Sequence, residues 1–134
     1  QKDKGLSDYL YVPNPVGVSS STSYFGKSSR VKTVLGGSVN AQFTVGAWNT
    51  VEQRIKLNTP GVGDGIEEIW LNGVLGLRRT GVTFRSSTRA ALKINQVYVS
   101  YFYGGGSADA PESDQYVYFD DFVISSAYIG PRTD

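Results

Sequence analysis

Tyrosine recurs at alternate positions in three segments of this 134-residue chain, and this spacing has chemical uses. On a β-strand, residues i and i+2 lie on one face, so each pair presents two phenol groups together. Such pairs usually pack within a sheet, because tyrosine is a good strand residue. Alternatively, they form an aromatic surface with hydroxyl groups that suits sugar rings. The three pairs are Tyr9 and Tyr11, Tyr101 and Tyr103, and Tyr116 and Tyr118.

Tyrosine beside a cation can also transfer protons, because the cation lowers its pKa. β-Elimination of a polyuronate needs a cation or amide at the carboxylate, a base for the C5 proton and an acid for the leaving oxygen at C4. Tyrosine with lysine or arginine supplies all three. Arg54 and Lys56 share one face of a predicted strand, where they form either a solvated surface or a site for the carboxylates of an anionic polymer. We take both as candidate substrate-binding residues.

The composition excludes several other chemistries. The chain has no Cys and no His, which removes nucleophilic triads and cysteine-ligated zinc. The net charge of +1 argues against nucleic acid as a partner. No run approaches the ~18 apolar residues of a membrane span, so we expect no membrane partner. The adjacent pairs Glu67-Glu68 and Asp120-Asp121 point to opposite faces of a strand, so neither forms a glycosidase pair alone.

Metal binding has only weak support in the sequence. Asp64 in a turn, and Asp120 and Asp121 in the last predicted strand, could hold structural calcium together with backbone carbonyls. Aspartates whose carboxylates are satisfied within a turn or a strand edge are the commoner interpretation. We therefore assign no metal ligand and expect that no cofactor is required.

Period-two segments, rather than helical periodicity, run along the chain and must position these residues. Asn72-Gly73 is the clearest hairpin signal, and residues 16–38 are expected to form a long loop with a short strand near 31–35. Alternation within 48–58 places Val51, Gln53, Ile55 and Leu57 on a mostly buried face. The predicted strands cover 6–12, 39–45, 48–58, 66–71, 74–77, 81–85, 93–103 and 115–125.

Seven or eight short strands, with turns every 8–12 residues, are typical of an all-β protein. We predict a β-sandwich or jelly roll that forms a single domain over residues 1–134. Our candidate for a sugar-stacking platform is Tyr101 or Tyr103, at the end of the long aromatic strand.

Several segments together resemble the C-terminal half of alginate-lyase-type proteins of polysaccharide lyase family 14. They are WNTVEQRIKLNTPGVGDGIEEIWLNG, YFYGG, DQYVYFDDFVIS and YIGPR, in matching order from about residue 5 to residue 132. The resemblance implies a concanavalin-like jelly roll with a concave cleft, and β-eliminative cleavage of polymers such as alginate or glucuronan. The family's catalytic Tyr-x-Tyr strand resembles residues 8–13 here, which makes Tyr9 and Tyr11 the candidate acid and base.

The chain departs from the family pattern upstream of that strand. The family places a catalytic Lys and a Ser/Thr…Arg strand there, whereas this chain begins only eight residues before Tyr9. We therefore expect the C-terminal portion of a longer lyase-like domain. Either a second polypeptide or self-association completes the sandwich, or the protein has lost catalysis. The absence of Met, even at position 1, fits a processed or partial chain.

Three functions remain open at this point. The first is a secreted, extracellular lyase that acts on acidic polysaccharide. The second is a non-catalytic carbohydrate-binding or lectin-like module on the same scaffold, because fold does not fix function. The third is a structural protein that assembles through exposed strand edges.

Overall fold

The computed structural model describes residues 5–10, 12, 28–101 and 113–131. Over these ranges the regular structure is β, apart from one 3₁₀ turn at Ser87–Arg89. The strands are β1 (Ser7–Tyr9), β2 (Ser28–Arg30), β3 (Val51–Lys56), β4 (Gly65–Leu71) and β5 (Val74–Val82).

Strands β3, β4 and β5 form an antiparallel sheet with β4 in the centre. The β4–β5 hairpin turns at Asn72-Gly73, which confirms the sequence prediction. Both residues have positive φ angles, 51° and 78°, as a two-residue turn of this hand requires. The Asn72 side-chain oxygen accepts a hydrogen bond from the backbone N–H of Thr50 at 2.8 Å, which ties the turn to the start of β3.

The register of this sheet sorts its side chains into two faces. Directly paired residues point the same way, and successive residues of a strand point opposite ways. We call one side the inner face; it carries Gln53, Ile55, Glu67, Ile69 and Arg79. We call the other side the outer face; it carries Glu52, Arg54, Lys56, Glu68, Trp70 and Arg78.

A second layer, built on the antiparallel pair β1 and β2, packs against the inner face. One apolar cluster joins the layers at Val31, Ala41, Ile69 and Leu71. A second cluster joins them at Leu10, Val12 and Val82. Burial of these side chains removes apolar surface from water, which is the main force holding one layer on the other.

The layers approach each other closely at Gly76, in the bulge of β5. The backbone N–H of Lys32 donates to the Gly76 carbonyl at 2.9 Å. A β-carbon at position 76 would overlap the backbone oxygen of Lys32 and lie 2.6 Å from a methyl group of Val31. Only glycine therefore allows the second layer to lie this close to β5.

Gly76→Ala is expected to lower the free energy of unfolding by about 1–3 kcal/mol, because a backbone atom cannot move aside as a side chain can. Thr80→Ala, at an exposed position of the same strand, should change it by less than about 0.5 kcal/mol. Urea unfolding of both variants measures the difference. Equal stability of the two would contradict the close contact at Gly76.

The predicted buried face of β3 is a correction. Val51 and Ile55 are both exposed in the structure. Strand β3 pairs with β4 on one side and is an edge of the described sheet. The β1–β2 layer covers β4 and β5, so the inner face of β3 lies beyond its reach.

The two long aromatic strands predicted at 93–103 and 115–125 are also corrected. Residues 93–101 and 113–125 carry no strand, and the large apolar side chains that they contain are largely exposed. Tyr98 and Ile124, for example, are 78% and 84% exposed. A strand needs a neighbouring backbone to satisfy its N–H and C=O groups, and alternation of side chains does not supply one. Residues 102 and 103 lie outside the described ranges.

Smaller differences between the predicted and observed strands concern their boundaries and pairing. The predicted strands at 74–77 and 81–85 merge into β5, and the strand near 31–35 lies instead at β2. Residues 39–45 contribute isolated bridges at Asn40 and Gln42. The all-β fold class is confirmed, as part of a β-sandwich with two packed layers. None of the helical structure in the described ranges is long and apolar enough to cross a membrane.

Candidate functional site

Tyr9 lies on the solvent side of the β1–β2 layer. The burial of β1 alternates, with Ser7 and Tyr9 exposed and Asp8 buried between them. Asp8 points toward the inner face of the three-stranded sheet, so Tyr9 points away from it. The Tyr9 side chain is 52% exposed and is accessible to a substrate. Tyr11, the second predicted proton-transfer residue, lies outside the described residues.

Arg30 brings positive charge to the face that carries Tyr9. In the β1–β2 register Ser7 pairs with Arg30, and Tyr9 pairs with Ser28. Arg30 is therefore the diagonal neighbour of Tyr9 on the same face, about 7 Å away between backbone positions. Its guanidinium donates to the Gly5 carbonyl at 3.5 Å. A tyrosine and a cation on one exposed face are two of the groups that β-elimination needs.

A buried charge cluster lies directly beneath Tyr9. We call Asp8, Glu67 and Arg79 the buried cluster, and the exposed Gln53 lies at its edge. Arg79 donates to both carboxylates, and Gln53 donates to Glu67 at 3.0 Å. The Arg79 side chain is 10% exposed and that of Glu67 is fully buried. This cluster joins β1 to β4 and β5, and so holds the strand that carries Tyr9.

The buried cluster holds two carboxylates for one guanidinium, and this imbalance affects Glu67. Burial raises the pKa of Glu67, and the nearby Asp8 charge raises it further. Arg79 and Gln53 favour the charged form but offset only part of that rise. Among the described residues, every buried side-chain nitrogen and oxygen has a hydrogen-bond partner.

A row of charges on the outer face has the opposite balance, with two guanidiniums around the one carboxylate of Glu68. Glu68 accepts from Arg54 at 2.5 Å and from Arg78 at 2.6 Å, and the three residues form a row across the strands. Burial raises the pKa of Glu68, but the hydrogen bonds and charges of the two arginines outweigh it and hold the pKa below its usual value. Lys56 is exposed on the same face, two residues along β3 from Arg54.

The two adjacent glutamates are expected to respond oppositely to pH. Because folding raises the pKa of Glu67, its protonated side chain adds stability at pH values below 4.5, the ordinary pKa of glutamate. This contribution is lost as the pH rises through the folded-state pKa. The lowered pKa of Glu68 gives a contribution that is present above 4.5 and is lost as the pH falls through the folded-state pKa.

Glu67→Gln should therefore gain stability relative to wild type as the pH rises above about 4.5, whereas Glu68→Gln should lose stability relative to wild type as the pH rises toward about 4.5 from below. Denaturant unfolding from about pH 3 to about pH 7 measures both trends, and each variant is the control for the other. Parallel pH trends for the two variants would contradict the assignment of one carboxylate to each face.

The structure does not bring all the sequence-predicted site residues together. Tyr9 faces outward from the β1–β2 layer, whereas Arg54 and Lys56 are on the outer face of the other layer. Tyr101 is exposed, and its ring meets that of Phe119 edge-on at 6.4 Å between centroids. Tyr103 lies outside the described residues.

The aspartates considered for calcium have partners within the chain. Asp64 accepts from the backbone N–H of Thr59 at 2.6 Å and from its hydroxyl at 2.7 Å. These hydrogen bonds lower the pKa of Asp64. Asp120 accepts from the backbone N–H of Asp121 at 2.8 Å. In the part of the chain that the structure describes, no group of three acidic, His or Cys residues is placed to hold a metal ion.

Sequence reasoning missed Arg30 and the buried cluster. Arg30 lies in the segment predicted as a long loop, where the alternation of side chains cannot be used to assign residues to a sheet face. Asp8 did carry a signal, because a charged residue occupied an inward position between Leu6 and Leu10. A buried carboxylate requires a cationic or hydrogen-bonding partner. That partner, Arg79, is 71 residues away in the chain, and spacing could not identify it.

Comparison with known proteins identifies the family. The family model for polysaccharide lyase 14 matches residues 2–122, which is most of the chain. No curated protein and no solved structure gave a significant match. The match includes β1 to β5 and the segment that follows them. The chain belongs to the polysaccharide lyase 14 family.

Proposed function

We propose that this protein cleaves acidic, uronate-containing polysaccharide by β-elimination, with Tyr9 and Tyr11 as the proton-transfer pair. The observation that carries the proposal is the exposure of Tyr9 beside Arg30, on a strand that the family model includes. Polysaccharide is the substrate class that the family supports.

The reaction divides into three tasks. One tyrosine oxygen removes the proton from C5 of the uronate, and the electrons of that bond form the double bond between C4 and C5. The bond from C4 to the glycosidic oxygen breaks, and the other tyrosine protonates the leaving oxygen. Positive charge at the sugar carboxylate stabilises the carbanion-like transition state. Arg30 is our candidate for that charge, because it shares the exposed face of Tyr9.

Anchoring of β1 supports the proposal that proton transfer takes place on this strand. Asp8 is fixed to Arg79 by a buried ion pair, and its chain neighbour is Tyr9. A fixed backbone lets the exposed tyrosine meet the sugar with little loss of conformational freedom. The buried cluster thereby supports the site without touching the substrate.

The second candidate function is binding without cleavage. It is favoured by the placement of Arg54 and Lys56, two cations on a face remote from Tyr9, where they can attract an anionic polymer but cannot take part in proton transfer. A lectin-like module needs only such contacts.

A depolymerisation assay separates the two functions. The protein is incubated with alginate, with glucuronan and with a neutral glucan, and ultraviolet absorbance of the unsaturated uronate is followed over time. We expect absorbance to rise with one of the two polyuronates and to stay flat with the neutral glucan. Binding of a polyuronate with no rise in absorbance would contradict the lyase and support the binding module.

A further inference from the structure

We propose that the outer face of the three-stranded sheet carries a second, non-catalytic binding site for acidic polysaccharide. The proposed contacts are Arg54, Lys56, Arg78 and Tyr128, which we call the outer-face site. The ligand class rests on the proposed function, but the site is remote from Tyr9 and works without proton transfer.

The first support is the excess of positive charge. Glu68 accepts one hydrogen bond from each arginine, through Nη1 of Arg54 and Nε of Arg78. A guanidinium has five N–H donors, so each arginine keeps several for a ligand. Both arginine side chains are 47% exposed, whereas that of Glu68 is 6% exposed. A ligand at this face therefore meets the cations rather than the carboxylate.

The second support is that Glu68 fixes the spacing of the two arginines. They belong to β3 and β5, on either side of β4, and each is in direct register with Glu68. Neighbouring strands are about 4.8 Å apart, which separates the arginine positions by roughly 10 Å. Guanidiniums suit carboxylates because they form paired hydrogen bonds in one plane. The row therefore offers two prearranged contacts for successive anionic groups of a polymer.

The third support is an aromatic platform on the same face. Trp70 is two residues from Glu68 along β4, which places it about 7 Å away. The ring of Tyr128 packs on Trp70, with 5.2 Å between ring centroids. Tyr128 remains 52% exposed. An exposed aromatic ring beside cations fits a sugar that has both an apolar C–H face and a carboxylate.

The chain itself holds this platform in place. Both carboxylate oxygens of Glu52 accept backbone N–H groups of the tail, from Ile129 and from Gly130, each at 3.0 Å. Charged acceptors of this kind make strong hydrogen bonds. They engage both oxygens of the one other carboxylate placed on the outer face of β3 to β5, so Glu52 anchors the tail that carries Tyr128.

The ion pairs alone do not explain this arrangement. On the inner face one arginine serves two buried carboxylates, so that arginine is explained by the partner that buried charge requires. On the outer face two half-exposed arginines serve one carboxylate, and exposed ion pairs add little stability. The second arginine is explained by an anionic ligand.

The test compares polymer affinity in two variants that each lose two charges. The binding pair is Arg54→Gln with Arg78→Gln, and the control pair is Arg89→Gln with Lys93→Gln, at exposed positions outside the sheet. Isothermal titration calorimetry with alginate, and with carboxyl-reduced alginate, measures the affinity. We expect the binding pair to lose at least about tenfold in affinity for alginate, as removal of two charge-assisted contacts implies. The control pair should stay within about twofold of wild type.

Two single variants keep the test valid if the double variant does not fold. Lys56→Gln and Tyr128→Ala leave the Glu68 contacts in place, and each should weaken alginate binding by about threefold or more. The outer-face site would be overturned if the binding pair kept the same wild-type affinity as the control pair. It would also be overturned if both single variants kept wild-type affinity. Binding that depends on Arg54 and Arg78 without any cleavage would support this site and contradict the lyase. Cleavage of alginate with binding that does not depend on Arg54 and Arg78 would support the lyase and contradict the outer-face site.

Discussion

Tyr9→Phe is expected to reduce lyase turnover by about 10²- to 10⁴-fold, the range associated with removing one acid–base group. The substitution deletes only the phenolic oxygen, and the side chain is 52% exposed, so the packing of β1 should persist. Tyr11→Phe should have an effect of the same order, because the reaction needs both a base and an acid.

Kinetics on the polyuronate that the wild type cleaves measure this effect. The loss should lie in kcat, with KM changed by less than about threefold, because the oxygen acts in the transition state. Tyr98→Phe is the matched control, since it removes a phenolic oxygen from another exposed tyrosine. Turnover that survives in Tyr9→Phe, or an equal loss in Tyr98→Phe, would show that Tyr9 is not the proton-transfer residue.

Arg79→Met is expected to lower the free energy of unfolding by about 3–5 kcal/mol, the usual cost of breaking a buried ion pair from one side. Asp8 and Glu67 would then remain buried with no arginine between them. Because Asp8 precedes Tyr9, the same change should disturb the strand that carries Tyr9. A loss of this size is a large part of the stability of a small domain.

Urea unfolding of Arg79→Met beside Arg78→Met tests the buried cluster. Arg78 is the next residue of β5, but it is half-exposed and Arg54 also serves its partner, so its loss should cost less than about 1 kcal/mol. Adding Asp8→Asn and Glu67→Gln to Arg79→Met should restore part of the stability, because the unpaired charges are removed. Equal losses at positions 78 and 79 would contradict the account of the buried cluster.

Local features of the fold could be predicted from the sequence. The Asn72-Gly73 turn follows from the positive φ angles that these residues tolerate, and the strands on either side follow from alternation. Adjacent Glu67 and Glu68 were correctly expected to face opposite ways, because that depends only on strand geometry.

Pairing between distant segments could not be predicted. Residues 93–101 alternate as well as β3 does, yet they form no strand, because pairing depends on a partner and not on their own pattern. Alternation also cannot say which layer a strand joins. For this reason Tyr9 and Arg54 could be proposed for one site, although they belong to the solvent sides of different layers.

The chemistry of the cleavage products tests the central claim most directly. Mass spectrometry of alginate and glucuronan digests distinguishes elimination from hydrolysis, because each eliminative cut yields two products that together lack one water. We predict that wild-type protein gives unsaturated fragments, one water lighter than hydrolysis fragments, and that Tyr9→Phe gives almost none. Digests that contain only fragments of hydrolytic mass, or polymers left intact at every protein concentration, would contradict β-elimination by this protein.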